Sequence, residues 1–378
     1  MLPVPDSDAL AHSQALCDHL REQILDAGGW ISFADYMEAV LYTPGLGYYA
    51  AGATKFGAAG DFVTAPEMTP LFGRTLAHAI APVLRDTGGD ILELGAGSGA
   101  LAADLLLELE RLGTLPARYC ILDVSADLAA RQRATLAQRA PHLLARVSWL
   151  DALPDAFTGV ILGNEVLDAL PVELVHWTEH GPLQRGVRLD GEQFGWHDRA
   201  IADPKLRTRA EALDLPPGYV SEIGMAATAL VQTLAGTLSH GLVLLIDYGF
   251  SQHTFYHPQR HMGTLRAHYR HHALDDPFYL PGLCDLTAHV DFSAIAAAAE
   301  AGGLRCDTFT TQASFLIGAG ISDLLMQTSP ADAAAYLPQA NALQRLVSPA
   351  EMGELFKVIA LTRGLASPTF TTLRQIPL

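Results

Sequence analysis

Acidic residues set beside glycines at alternate positions carry the chemistry legible in this chain. Gly95, Gly97 and Gly99 follow the apolar run Ile91-Leu92-Glu93-Leu94, and a second apolar run, Leu101 to Leu109, follows them. A strand that ends in a carboxylate, bends at glycines and continues as a helix is built to cradle a nucleotide-like ligand. Gly95 and Gly97 let the backbone turn tightly and approach that ligand with no Cβ in the way. The helix turns its unpaired N–H groups and the positive end of its dipole toward whatever lies in the turn. Further on, Asn164-Glu165-Val166-Leu167-Asp168-Ala169-Leu170-Pro171 follows the apolar stretch Val160-Ile161-Leu162. Two acids therefore lie just past the C-terminal end of a strand, where ligands bind in open α/β sheets. If residues 165–169 form a helical turn, Glu165 and Asp168 share a face. The alternative for Glu165 is an acid favoured by the dipole of a helix N-terminus.

The glycine turn admits two cofactors, with a purely structural turn as the third reading. Gly95-x-Gly97-x-x-Ala100 fits the dinucleotide fingerprint, in which a pyrophosphate sits on the helix N-terminus. Glu93-x-Gly95-x-Gly97-x-Gly99 fits better the first motif of class I S-adenosylmethionine methyltransferases. There the turn, Ala96 included, packs under the amino-acid part of the cofactor, and the carboxylate faces its ammonium group through water. A carboxylate at that place would repel a pyrophosphate, which disfavours a nicotinamide dehydrogenase. Tyr119-Cys120-Ile121-Leu122-Asp123 is a second strand ending in an acid, the position that commonly takes ribose hydroxyls. Its alternative role is an N-cap, because Asp123 and Ser125 both precede a helix over 126–139. Asp151 and Ala152, after a short strand at 146–150, stand where adenine is read by one side-chain acceptor and one backbone N–H. A solvated turn accounts for Asp151 equally well.

The elements that must position these residues alternate between helix and strand. Residues 7–27 read as an amphipathic helix, and Ser32 caps a second one, Phe33 to Leu41. The glycine-, proline- and aromatic-rich stretches 42–49 and 57–67 form a long segment read as a lid or wall of the site, with a packed Ω-loop as the alternative. A helix over 70–84 precedes the first sheet strand. Residues 172–198 alternate apolar and polar between turn signals, a β-meander, and a helix over 221–238 follows. A buried strand at 242–249 carries Asp247 and Tyr248 near its end. A His-, Arg- and Tyr-rich segment, 251–290, is read as a loop contacting substrate or cofactor. Then come a helix at 292–301, a strand at 305–311, a helical insertion at 313–347 and a last strand at 356–362. Seven core strands alternating with helices make an α/β, doubly wound sheet. The chain divides on this reading into 1–88 (N-terminal helices and active-site loop), 89–170 (cofactor half of the sheet) and 171–238 (meander and helix). The remaining segments are 239–312 (second half of the sheet), 313–350 (helical insertion) and 351–378 (last strand and tail).

Composition narrows the function classes. Of 378 residues, 49% are apolar, enough for a large core, and no apolar run reaches the length of a membrane span. The net charge of −17 opposes a nucleic-acid grip, which needs a basic face; it suits a cationic acceptor, with a solubility surplus as the alternative. Cys17, Cys120, Cys284 and Cys306 form no CxxC pair, which reads as a reducing compartment without structural zinc. His257-x-x-x-His261 and His271-His272 lack the neighbouring acids and defined ligand count of a metal site, so no metal is expected. Met1 to Leu10 holds two aspartates and no Lys or Arg, unlike a secretory or mitochondrial leader, and a cytoplasmic protein is expected.

Several stretches taken in order resemble one family, the MidA-like S-adenosylmethionine methyltransferases. They are Gly60-Asp-Phe-Val-Thr-Ala-Pro-Glu67, Leu92-Glu-Leu-Gly-Ala-Gly-Ser-Gly99, Asn164-Glu-Val-Leu-Asp-Ala-Leu-Pro171, Ile246-Asp-Tyr-Gly249, Gly263-Thr-Leu-Arg-Ala267 and Asp285-Leu-Thr-Ala-His-Val-Asp-Phe292. The family includes a mitochondrial complex I assembly factor that dimethylates a protein arginine. The resemblance implies a class I fold with added elements, S-adenosyl-L-methionine as cofactor, and a protein acceptor such as a respiratory-complex subunit. Asp123 replaces a more usual Glu, and the absence of a leader fits a bacterial member. On this reading Thr64, Pro66, Glu93, Gly95, Ala96, Gly97, Gly99, Asp123, Asp151, Ala152 and Asn164 hold the cofactor. Glu165, Asp168 and Glu67 are the catalytic candidates, and Asp247, Tyr248 and Asp285 face the acceptor. A guanidinium, cationic at any ordinary pH, is a poor nucleophile that flanking carboxylates can orient bidentately. The rival readings are a small-molecule methyltransferase on the same fold and a cofactor-binding assembly protein without turnover.

Overall fold

The computed structural model describes residues 2–51, 64–123, 125–366 and 375–378. The backbone groups into two units, each assembled from separated stretches of chain. One comprises 54–166, 230–249 and 292–378; the other comprises 1–53, 167–229 and 250–291. Residues 57–63 of the expected lid, including Gly60 to Val63 of the Asp-Phe-Val motif, lie outside the described residues. No helix among the described residues is long and apolar enough to cross a membrane.

The first unit is built on strands β1 (Asp90–Leu94), β2 (Tyr119–Leu122), β3 (Val147–Leu150), β4 (Phe157–Asn164), β5 (Leu238–Phe250), β6 (Arg305–Thr311) and β7 (Phe356–Arg363). They lie side by side in the order β6-β7-β5-β4-β1-β2-β3. The sheet counts eight strands where the pattern counts seven; the eighth, Val290–Asp291, lies off that path and is too short for periodicity to register. Strands β3, β2, β1, β4 and β5 are mutually parallel, and β7 inserts antiparallel between β5 and β6. Leu242 to Ile246 of β5 are at most 2% exposed, which is why this strand reads as an unbroken apolar run rather than an alternation. The chain lays β2 and β3 on one side of β1, then returns to lay β4 on the other. Strand order reverses between β1 and β4, so their C-terminal ends open a crevice between diverging connections.

Helices Pro70–Thr87 and Ala100–Arg111 pack in the same core, with Phe72, Leu76 and Ile80 clustered among Leu101, Leu105, Leu109, Ile91 and Leu162. The expected helical insertion is three helices, Gln312–Gly318, Ile321–Leu325 and Ala333–Val347. Gly320, with φ 91°, makes the left-handed break between the first two.

The second unit holds helices Ser7–Asp26 and Phe33–Tyr42. Ser32 caps the latter as expected: its Oγ accepts from the Asp35 N–H while the Asp35 carboxylate accepts from the Ser32 N–H. The meander strands Glu173–Thr178, Gly181–Asp190 and Gln193–Ala200 pair antiparallel. Two expectations are corrected here. Residues 221–223 begin no helix; Val220–Ile223 is a strand paired with Glu173–Thr178, and the helix starts beyond Gly224, at Met225–Thr237. The extended edge offered by the meander outweighs local helix propensity at these residues. The 251–290 segment is not all loop, because Arg266–Tyr269 lies between His272–Leu274 and Asp285–Thr287 in a three-stranded sheet.

The helix after the glycine turn is pinned by one buried acid. Glu108 accepts from Arg74 Nε at 2.9 Å and from Arg111 Nη2 at 2.5 Å, and pairs with His78 Nε2 at 2.7 Å. Burial pushes its carboxyl upward, but the hydrogen bonds from Arg111, His78 and Arg74 outweigh that and bring it down to about 2. A depressed carboxylate adds stability above its unfolded value, and that stability is lost as pH falls through the folded one. Glu108→Gln is therefore expected to cost about 2 kcal/mol near neutral pH. In denaturant titrations its deficit against the unsubstituted protein should shrink as pH drops from 4.5 toward 2. An equal deficit at every pH would contradict this.

Candidate active site

The glycine turn has the shape its spacing implies. Gly95, Gly97 and Gly99 all take positive φ, at 59°, 53° and 83°. The Gly95 N–H donates to Leu122 O, so the turn is fastened to the end of β2. At Gly99 a Cβ would press to 3.0 Å from Gln132 Cα, whereas at Gly97 it would meet no described atom within 4 Å. The first glycine–helix contact is thus a packing requirement, and Gly97 leaves open space where a ligand can approach the backbone. Below the turn, Glu93 is 2% exposed and accepts from Tyr119 Oη at 2.7 Å. Burial raises its carboxyl to about 7, against the opposing hydrogen bond from Tyr119, and Asp123 adds to the rise.

Asp123 is bound into a network that the sequence reading missed. Gln132, fully buried, donates from Nε2 to Asp123 Oδ2 at 2.8 Å and to Gly97 O at 3.1 Å, while its Oε1 accepts from Trp149 Nε1 at 2.8 Å. One amide thereby fixes the ribose candidate, the glycine turn and the end of β3. Gln132 carries no motif signal, because a glutamine inside a polar helix reads as a solvated residue. Ser125, not Asp123, caps the helix Ala126–Arg139 through its Oγ, and the Asp123 carboxylate accepts from the Ser125 N–H at 3.4 Å. Asp151 and Ala152 are exposed in the bend after β3.

At the end of β4 the expected helical turn over 165–169 is absent, and this corrects the shared helical face of Glu165 and Asp168. Glu165 instead has φ 53°, a left-handed backbone rare for a residue with a side chain. Two contacts hold it there. The Glu165 N–H donates to Ile246 O at 2.9 Å, and the next amide, Val166 N–H, donates to Asp247 Oδ2 at 3.1 Å. Asp247, 1% exposed, also accepts from the Tyr248 N–H at 2.8 Å, so its two oxygens both hold main chain. Tyr248 packs on Phe356, ring centroids 3.8 Å apart. Asn164 Nδ2 donates to Glu165 Oε1 at 3.0 Å, and Asn164 Oδ1 is buried without a hydrogen bond among the described residues. Thr64 and Pro66 open the short helix Ala65–Met68, whose Glu67 carboxylate accepts from Ser98 Oγ inside the glycine turn.

Asp168 and Asp285 belong to the second unit. They are 5% and 4% exposed. Asp285 accepts from Tyr49 Oη, which lies 3.0 Å from both of its oxygens, and Asp168 O accepts from the Ala288 N–H at 3.0 Å. Removal from water, then the charge on Asp285, holds the Tyr49 phenol well above its ordinary range, and Asp168 adds to the effect. A buried carboxylate outside every motif steadies this region. Glu222 Oε1 accepts from the Thr264 and Leu265 N–H groups, both at 2.7 Å, and Thr264 Oγ1 in turn accepts from the His289 N–H at 3.0 Å.

The residues around the β1–β4 crevice fit an adenosyl amino acid. Gly97 leaves its backbone approachable, Glu93 offers a carboxylate to an ammonium, Asp123 stands at the end of the next strand, and Asn164 holds an unsatisfied buried acceptor.

Comparison with known proteins agrees. Residues 75–310 match the family model described as "Putative S-adenosyl-L-methionine-dependent methyltransferase". A Burkholderia thailandensis protein crystallised bound to S-adenosyl-homocysteine is 51% identical, covers 99% of both chains and superposes with a TM-score of 0.96. The protein arginine methyltransferase NDUFAF7 homolog of Drosophila melanogaster, mitochondrial, is 30% identical over 96% of this chain and 88% of its own. Its Danio rerio counterpart is 29% identical over 92% and 87%. The crevice geometry and these similarities converge: the chain belongs to the MidA-like family of S-adenosyl-L-methionine-dependent methyltransferases.

Proposed function

We propose that this methyltransferase alkylates an arginine side chain of a protein. The observation that carries the reading is Glu165, held in a left-handed backbone at the mouth of the crevice with its carboxylate gripped by Asn164. Strain of this kind costs about 1–3 kcal/mol, is held by the surrounding bonds, and clusters at active sites. The relatives named protein arginine methyltransferases, and a formal net charge of −17, support the same acceptor.

The cofactor, when bound, supplies a methyl group activated by its sulfonium. Glu93 faces its ammonium group, Asp123 its ribose hydroxyls, and the open backbone at Gly97 its amino-acid chain. Glu165 orients the guanidinium so that one nitrogen lies in line with the methyl–sulfur axis; alignment alone supplies several kcal/mol. As that nitrogen–carbon bond forms and the carbon–sulfur bond breaks, one N–H proton passes to the Glu165 carboxylate and then to water. The charge that stays on the alkylated guanidinium is stabilised by the same carboxylate.

Incubation with methyl-labelled cofactor and a cell extract should place label on protein arginine, read by amino-acid analysis of the hydrolysed product. Glu165→Gln should lower the rate about 100-fold, with the affinity for S-adenosyl-homocysteine held within about twofold. Label on a small molecule alone, or an unaltered rate in the variant, overturns the proposal.

Glu93 makes a second expectation with two opposite signs. Its carboxyl is raised from 4.5 to about 7, so its contribution to the stability of the ligand-free protein is full below 4.5 and lost as pH rises through 7. The ionised form is the one that attracts an ammonium. Affinity for S-adenosyl-homocysteine, measured calorimetrically, should therefore rise with pH up to about 7 and then level. Its slope should approach about tenfold per pH unit on the acid side. Glu93→Gln should flatten that profile; a slope that survives the substitution assigns it to another group.

A further inference from the structure

Helix Ala126–Arg139 is braced against the glycine turn by one amide whose direction its neighbours dictate. Every group in this brace belongs to the first unit. Gln132 is fully buried. Its Oε1 accepts from Trp149 Nε1 at 2.8 Å, and its Nε2 donates to Asp123 Oδ2 at 2.8 Å and to Gly97 O at 3.1 Å. An indole nitrogen only donates, and an ionised carboxylate and a carbonyl only accept. Turned over, the amide would set its oxygen against two acceptors and its nitrogen against a donor. One direction alone is satisfied, and in it the amide nitrogen serves both Asp123 and Gly97.

The amide has little room to shift. Gly99 approaches so closely that a Cβ there would stand 3.0 Å from Gln132 Cα. The Trp149 ring is covered by the Arg133 guanidinium, 3.7 Å from its centroid, so the indole that sets the amide is itself held. Asp123 is part-exposed just past the end of β2 and has other contacts; the Ser125 N–H donates to its Oδ1 at 3.4 Å. What Gln132 adds is a link. The nitrogen that reaches the carboxylate also reaches the carbonyl of the glycine turn, so the acid keeps one place relative to that turn. An ionised carboxylate offers about four lone-pair sites, and Gln132 takes one of them.

We propose that Gln132 is a positioning residue for the ribose: it sets the Asp123 carboxylate at a fixed place against the glycine turn, and so gives the site its preference for a ligand carrying both ribose hydroxyls. The role rests on the reading of Asp123 as the ribose acid. On that reading the turn takes the cofactor's amino-acid chain and Asp123 its ribose, and the two grips act together only when their spacing is set. Setting it in the free protein removes that ordering from the binding step. A methionine at 132 would keep the length of the side chain and lose all three hydrogen bonds.

The test is calorimetric binding of S-adenosyl-homocysteine and of its analogue lacking both ribose hydroxyls. Neither ligand carries an acceptor, so the outcome is independent of what the enzyme methylates. The unsubstituted protein should prefer the hydroxylated ligand about thirtyfold. Gln132→Met should shrink that preference below about fivefold, mainly by weakening S-adenosyl-homocysteine. A residue that served only packing would weaken both ligands by one factor, so an unchanged preference in Gln132→Met overturns the role. Asp123→Ala tests the ribose assignment itself and should abolish the preference. A preference that survives Asp123→Ala takes the ribose away from Asp123 and overturns the proposal at its base. One lost in Asp123→Ala and intact in Gln132→Met overturns the positioning role and leaves the ribose assignment standing. Should Gln132→Met not fold, Trp149→Phe carries the same test. It frees the amide to turn while Gln132 stays in place, and should lower the preference about threefold. An undiminished preference there overturns the role.

Discussion

The Asp247 carboxylate decides how the chain leaves the sheet. It accepts from the amides of Val166 and Tyr248, and so ties the end of β4 to the end of β5 at the level where strand order has just reversed. The Glu165 amide is likewise bonded to the sheet, at Ile246 O. Between these ties the backbone takes the left-handed turn at Glu165, where Asn164 Nδ2 donates to the Glu165 carboxylate. Asp247 thus holds the two strand ends together, and Asn164 and Glu165 stand where β4 leaves the sheet.

Residues that signal through local backbone demands were legible in the sequence. The three glycines were readable because each needs a conformation or a close approach that a side chain opposes, and Glu93 because an acid before such a turn tells an ammonium from a phosphate. Capping at Ser32 and the long apolar run of β5 were readable for the same reason, since the cause lies within a few residues of the effect. Gln132, Glu222 and Tyr49 were not. Each acts on a partner many positions away, Gln132 on Gly97, Glu222 on Thr264 and Tyr49 on Asp285. Their residue types in isolation look like ordinary helix, strand and loop content. The helix expected at 221–223 failed through the same asymmetry: local propensity was read correctly, and a strand edge in the meander overruled it.

The division into units was also beyond pattern reading. A scan along the chain cuts it into consecutive segments, whereas each unit gathers stretches that lie far apart in sequence. The boundary falls within the Asn164–Pro171 motif, between Val166 and Leu167. Glu165 and Asp168, three apart in the motif and placed on one helical face if 165–169 formed a helical turn, therefore answer to different cores. Glu165 is fixed by the sheet through Ile246 and Asp247, and Asp168 by the Ala288 amide of the second unit.

That separation bears on how acceptor choice can change. The groups assigned to the cofactor, from Glu93 through Gln132 to Asn164, are fastened to one another inside the first unit by Tyr119, Trp149 and the β-sheet itself. Asp168, Asp285, Tyr42 and Tyr49 are fastened by hydrogen bonds internal to the second. Substitutions that share no partners add nearly independently, while those within one network couple. Changes at Tyr49 or Asp285 are therefore expected to leave the glycine turn intact, and changes at Gln132 to leave the Tyr49–Asp285 contact intact. Function lives in side chains grafted on a fold, so a chain built from two separately fastened networks can change one of them while the other keeps its geometry.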